Sequence, residues 1–259
     1  SSCTSAIHLA LKSINIKEGD EVICPALTFI APANMIVLSG AKLILVDIDP
    51  QTMTIDPIKL KKKITKKTKA IVLVHQFGHA CHMDEIKKIA RNNKLKIIED
   101  NAESLGGEYK KRLLGSIGDI STLSFFANKI MTTGEGGAVL TNNRLIADKV
   151  RVLRDHGMSK KKRYRHLDLG YNYRMTNLQA ALGLAQFENL DEILNIRKRQ
   201  MECYYNLLTN KDILLREFKE WTTPVHWLMT IAIKDDKISK KFIKYMASEG
   251  IECRPMINP

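Results

Sequence analysis

The sequence predicts an α/β protein, with a mainly parallel sheet between helices and a small α+β C-terminal unit that starts but does not close. Three observations predict it. Short apolar runs alternate with amphipathic segments through the first two-thirds of the 259 residues. Those runs lack polar alternation, as strands buried on both faces do. From Thr176 to about Asn210 the pattern turns helical, and after it strand, helix and strand signals resume.

The elements follow in order. TSAIHLALKSIN (4–15) carries apolar residues at helical spacing. EVICPA (21–26) and KLILVDID (42–49) read as strands, and AIVLVHQF (70–77) as a continuously buried one. MDEIKKIARNNK (83–94) is a helix with apolar positions one turn apart. LKIIED (95–100) is a strand, and DISTLSFFANK (119–129) contains another. The stretch 176–210 predicts a long connecting helix with a break. HWLMTIAI (226–233) reads as a strand, ISKKFIKYMASEG (238–250) as a helix, and IECRPM (251–256) as the start of a further strand. We divide the chain into a large domain, residues 1–195, and residues 196–259, a connecting helix with the start of a smaller domain. Both ends read as the interior of something longer. We expect a fragment truncated at its N-terminal segment and within its small domain.

Composition narrows the function. The chain is 44% hydrophobic, enough for a sizeable core. No apolar run approaches the roughly 18–20 residues of a membrane span, so no membrane partner is expected. The five cysteines are odd in number, widely spaced and without a CxxC pair, which favours a reducing cytoplasm over a disulfide framework. HACH (79–82) lacks a second ligand pair, so no metal is expected. Net charge is +13, and KLKKKITKKTKA (59–70) is the densest basic run. No aromatics interleave with its lysines, so a solvated helix face is expected and nucleic acid is not. A basic surface also suits a small anionic substrate.

Ligands of open parallel sheets sit beyond the carboxyl ends of the strands. LKIIED ends there in Glu99-Asp100, and the next strand runs out to Lys129. The helix beginning near Thr4 presents its N-terminus, a phosphate site, at the same edge. Lys129 is either an ordinary strand-end lysine or a reactive amine kept in a pocket. An acid, a lysine and a phosphate cradle together are what pyridoxal 5′-phosphate (PLP) requires. Each has a plainer reading, since Thr or Ser often only caps a helix and a strand-end Asp is often structural.

The sequence resembles the DegT/DnrJ/EryC1/StrS family of PLP-dependent sugar aminotransferases. The resemblance runs through SCTSAIHLAL (2–11), GDEVICPALTFIAPAN (19–34), LVDIDP (45–50), KAIVLVHQFGHACHMD (69–84), IIEDNAES (97–104), GDISTLSFFANKIMTTGEGG (118–137), LRDHGM (153–158) and GYNYRMTNLQAALGLAQFENLDE (170–192). It implies an aspartate-aminotransferase-like fold of type I. It implies that Lys129 carries PLP through a Schiff base and that Asp100 faces the pyridine nitrogen. By the same resemblance Glu103 lies near the ring hydroxyl and Phe29 stacks on the ring. Thr4 and Ser124 supply phosphate-binding hydroxyls, with the Cys3 backbone beside them. Asn172 reaches the phosphate of the neighbouring subunit's cofactor, which implies a homodimer with shared sites. The glycines of TTGEGG shape the loop and need not touch substrate. The family usually has glycine at the position of Cys3, so a lower PLP affinity is expected. The residues around Lys129 and in NYRMTNLQAALGLAQ most resemble enzymes that aminate C4″ of GDP-4-keto-6-deoxymannose, with L-glutamate as the expected donor. A dTDP- or UDP-4-keto-6-deoxyhexose substrate, or an inactive PLP-binding homologue, is the alternative.

Overall fold

A computed structural model describes residues 1–209 and 213–257. The chain opens with α1 (Cys3–Ser13), β1 (Glu21–Pro25), α2 (Ala31–Leu38), β2 (Lys42–Val46), α3 (Pro57–Lys63) and β3 (Thr68–Val74). It continues through α4 (Met83–Asn93), β4 (Lys96–Asp100), a hairpin of β5 (Glu108–Tyr109) and β6 (Arg112–Leu113), then β7 (Ile120–Ser124), β8 (Gly137–Leu140) and α5 (Arg144–Leu153). The last part holds α6 (Asn177–Glu188), α7 (Leu190–Leu207), β9 (Ile213–Leu215), β10 (Thr222–Thr223), β11 (Ile231–Ile233) and α8 (Asp236–Ser248).

Six strands form one sheet in the order β2-β1-β3-β4-β7-β8. Five run parallel, and β8 lies antiparallel against β7. β1 and β7 are buried at every residue, and β3 and β4 at all but Lys69 and Lys96. The unbroken apolar runs have this cause: helices cover both faces of these strands. One face packs Val22, Val72 and Ile98 against Ile7 and Leu11 of α1. The other packs Ile71, Leu73 and Ile97 against Met83 and Ile86 of α4. Strand alternation therefore gives Asp100 the α1 face, with Ile98, and Glu99 the α4 face, with Ile97.

Local chemistry sets the helix ends. The Ser2 hydroxyl caps α1 by accepting from Ser5 N, and Asp56 caps α3 with Pro57 at its first position. α3 buries only Leu60 and leaves Lys61, Lys62 and Lys63 outside, so the basic run is a solvated face. The helical stretch after Thr176 does break. Thr176 and Gln179 form a capping box that starts α6, and the chain turns at Asn189 before α7.

Two strand expectations fail. Within 226–233 only β11 is extended, and the apolar letters before it have another cause: Val225 and Trp227 turn inward onto Ile130. Residues 251–257 form no strand, and no described strand lies alongside to pair with them. Conversely α2, β8 and the β5–β6 hairpin carried too little periodicity to be read, and α5, although it buries Ile146, Val150 and Leu153 at helical spacing, was not expected. Among the described residues no helix is long and apolar enough to cross a membrane.

Candidate active site

β1 lies between β2 and β3, so the winding of the sheet reverses beside it. That reversal opens a crevice beyond the carboxyl ends of the strands. Asp100 ends β4 at this edge and is only 4% exposed. Its Oδ1 accepts from Ala102 N at 2.9 Å and from the Cys3 thiol at 3.7 Å. Among the described residues its Oδ2 receives no donor. Burial pushes the Asp100 carboxyl up, while the Ala102 N–H and the Lys129 cation pull it back. Burial also pushes the Cys3 thiol well above its ordinary value, so it remains an S–H donor toward Asp100.

Lys129 follows β7 by one turn and is held in that turn by its own N–H to Phe126 O. Burial lowers its pKa, and the carboxylates of Glu103 and Asp100 oppose the shift. Glu103, 5% exposed, accepts from Phe77 N at 2.6 Å. Burial drives its pKa up to about 7, against the pull of Lys129 and the Phe77 N–H. Asp100, Glu103 and Lys129 thus share one electrostatic environment.

The N-terminus of α1 completes the same edge. The first N–H groups of a helix, here those of Cys3 and Thr4, have no intrahelical acceptor. Ser124 ends β7 and pairs with Gly137 of β8. A β-carbon on Gly137 would stand 2.6 Å from Cys3 N, so only glycine lets β8 pass this close to the start of α1. The turn at TTGEGG therefore shapes the backbone around Thr4 and Ser124. Cys3 occupies the first position of α1 without disturbing the Ser2 cap.

Phe29 follows β1 at this edge with its side chain 60% exposed, its ring open to a ligand. Asn172 does not join the cluster within this chain. It is exposed, on a short bridge to Asp155, and its neighbours Tyr171 and Tyr173 stack beside His8 of α1.

Several residues of the site escaped the sequence. Trp227 lies with its ring centroid 3.4 Å from Lys129 Nζ, and its indole N–H donates to Asn128 O at 2.7 Å. Arg216, 8% exposed, donates to the carbonyls of Gln76, Phe77 and Thr52 and clasps the turn whose N–H binds Glu103. Phe77 in that turn has φ 51°, a left-handed conformation uncommon outside glycine, Asn and Asp. A tryptophan inside an apolar run and a lone arginine far along the chain give no local signal of these contacts. On the α4 face, Glu99 accepts from His75 Nε2 at 3.0 Å and from the N–H groups of Gly115, Ile117 and Gly118. Glu99 pulls the imidazole toward protonation. Yet His75 Nδ1 accepts from Cys81 N at 3.1 Å, so an imidazolium would set N–H against N–H. The ring is therefore the neutral Nε2–H tautomer. The pair locks the ends of β3 and β4 together beneath Asp100.

The arrangement fits PLP. A buried carboxylate with one oxygen undonated among the described residues suits a ring N–H⁺, a desolvated lysine suits an aldehyde, and a helix N-terminus with two hydroxyls suits a phosphate. A type I fold with this set defines a PLP-dependent aminotransferase. The chain belongs to the DegT/DnrJ/EryC1/StrS aminotransferase family, whose pattern matches residues 1–259. It is 44% identical over 260 residues to a GDP-perosamine synthase of Caulobacter vibrioides, covering 99% of this chain and 70% of that protein. It is 41% identical over 256 residues to a GDP-perosamine synthase of Escherichia coli O157:H7, at the same coverages. The PLP form of the putative sugar aminotransferase Spr1654 from Streptococcus pneumoniae superposes with a TM-score of 0.93, 28% identity, and coverage of 100% of this chain and 72% of that one. Sugar amination on a nucleotide-linked substrate, with an amino donor and PLP, is the chemistry of this family.

Proposed function

We propose that the protein transfers the amino group of L-glutamate to C4″ of GDP-4-keto-6-deoxymannose, giving GDP-perosamine, as a cytoplasmic homodimer. The observation that carries the chemistry is that Lys129, a desolvated amine, shares one electrostatic environment with Asp100, a buried carboxylate whose Oδ2 receives no donor among the described residues. The choice of sugar and nucleotide draws on the two GDP-perosamine synthases. The homodimer draws on the large apolar side chains left exposed on α6, including Leu178, Leu184 and Phe187. The cytoplasmic setting draws on five free cysteines.

Bound PLP supplies an electron sink for the charge left when the donor α-carbon loses its proton. Lys129 would hold the cofactor covalently and, once released, take that proton on Nζ. Its lowered pKa keeps a fraction of the amine neutral and able to do so. Asp100 Oδ2 would accept from the ring nitrogen and keep it charged. The Ala102 N–H and the Cys3 S–H hold Oδ1 and so aim Oδ2. Glu103, with a pKa of about 7, would share a proton with the ring hydroxyl. The N–H groups of Cys3 and Thr4 and the hydroxyls of Thr4 and Ser124 would bind the phosphate, and Phe29 would cover the ring. Asn172, exposed and outside the cluster of its own chain, would reach the cofactor phosphate of the second subunit. In this reading residues 1–195 form the cofactor domain, and residues 196–259 bring Arg216 and Trp227 back onto it.

The test is a substrate panel. GDP-, dTDP- and UDP-4-keto-6-deoxyhexoses are incubated with enzyme, PLP and L-glutamate, and products are resolved by mass spectrometry and NMR. GDP-perosamine as the fastest-formed product is expected. Faster amination of a dTDP or UDP sugar would overturn the choice of nucleotide, and no amination of any sugar would overturn the enzyme reading.

A further inference from the structure

We propose that Trp227 is a positioning residue for Lys129, holding the peptide from which the amine projects and covering the amine with its ring. The catalytic meaning of this rests on the function proposed above. Three contacts carry it. The Lys129 ammonium lies 3.4 Å from the indole centroid, within the range of a cation–π attraction. The indole N–H donates at 2.7 Å to Asn128 O, the carbonyl of the peptide bond that leads into Lys129. The ring is 8% exposed and packs with Val225 against Ile130, the residue after Lys129.

One side chain therefore grips the backbone before Lys129, packs on the side chain after it, and lies over its amine. A tryptophan that only filled core would need its packing and an acceptor for its N–H, but not a place over the amine nor an acceptor in the peptide that leads into it. The groups facing the amine are Glu103 and Asp100 from β4 and the turn after it, Cys3 from α1, and Trp227 from the segment before β11. Among the described residues Nζ makes no hydrogen bond or ion pair. The indole face is thus the partner that the structure gives it. The ring favours the ammonium through its quadrupole and disfavours it by excluding water. These effects separate when the ring is replaced by an aliphatic group of comparable bulk.

The test is carried out on the whole chain in cofactor-free form. Amines are labelled briefly with acetic anhydride from about pH 7 to 10.5. The Lys129 peptide is quantified by mass spectrometry against exposed lysines such as Lys61. In Trp227→Leu the apolar cover stays but the ring face goes. The midpoint of Lys129 labelling is expected to fall by about half a unit to one unit, the size of a lost cation–π attraction. In Trp227→Phe the ring stays and the N–H goes. The midpoint is expected to stay near that of the parent, while the maximal labelling rate rises several-fold because the peptide is no longer anchored. In PLP-loaded enzyme kcat is expected to fall at least tenfold in Trp227→Leu, with KM for the donor little changed.

An unchanged midpoint in a Trp227→Leu protein that melts like the parent overturns the proposal. If that variant does not fold, Trp227→Phe decides, and an unchanged maximal rate overturns it. Shifts as expected in a parent that cannot exchange amino groups would leave the hold on Lys129 standing and sink the proposed function instead.

Discussion

Replacing Glu103 by glutamine tests how strongly this site is desolvated. The Glu103 carboxyl has a pKa of about 7 where an ordinary glutamate has 4.5. Below pH 4.5 both folded and unfolded chains carry the neutral acid, and Glu103 costs nothing. Between these values the folded state binds the extra proton, so stability falls as pH rises through the window from 4.5 to about 7. Above it the full penalty applies. A difference of about 2.5 units corresponds to roughly 3 kcal/mol. Glutamine resembles the neutral acid and can still accept from Phe77 N. Glu103→Gln should therefore lie within about 1 kcal/mol of the parent near pH 5 and exceed it by about 2–3 kcal/mol near pH 9. For a chain of this length that is roughly 4–6 °C in Tm. The assay is thermal melting of cofactor-free protein by circular dichroism at half-unit steps from pH 5 to 9. Two curves that run parallel across the whole range would refute the reasoning, because the Glu103 carboxyl would then titrate alike in folded and unfolded chains.

Other residues make their own predictions. Gly137→Ala sets a β-carbon against the start of α1 and should weaken PLP binding at least tenfold, read by absorbance titration; parent-like affinity would contradict the cradle. Cys3→Gly removes a β-carbon beside the N–H groups offered to phosphate and should tighten PLP binding; equal affinities would remove the idea. His75→Ala removes the side-chain N–H that the buried Glu99 carboxylate accepts and should cost about 2 kcal/mol, seen as a lower Tm at pH 7. An unchanged Tm would mean that the three backbone donors alone satisfy Glu99.

Much of the fold could be read because its central strands carry short apolar runs, VIC, AIVLV and II, with no polar alternation inside them. β1, β3 and β4 announce themselves by that pattern and β7 by its alternating Ile120, Thr122 and Ser124, and Asp100 and Lys129 follow from where β4 and β7 run out. α2 could not be read. APANMIVL is apolar almost all round, and its Val37 and Leu38 stand exposed, so no polar face marks a helix. The stretch 226–230 misled because an inward-turned tryptophan and a strand residue are equally apolar as letters. Trp227 meets Lys129 across nearly a hundred residues of chain, and Arg216 meets Phe77 across more. Contacts of that separation leave no periodicity behind. Local motifs thus placed the groups expected to do chemistry, while the groups that hold them in place came from the tertiary structure.

The central claim is that Lys129 carries the cofactor and exchanges its amino group. An absorbance spectrum of the protein with PLP, before and after L-glutamate, tests it most directly when Lys129→Ala is run alongside. The parent is expected to show a lysine-linked cofactor band that glutamate converts to the amine form, and Lys129→Ala is expected to show neither the band nor turnover. Repeated turnover in Lys129→Ala, or a parent whose bound cofactor ignores every amino donor offered, would contradict the account.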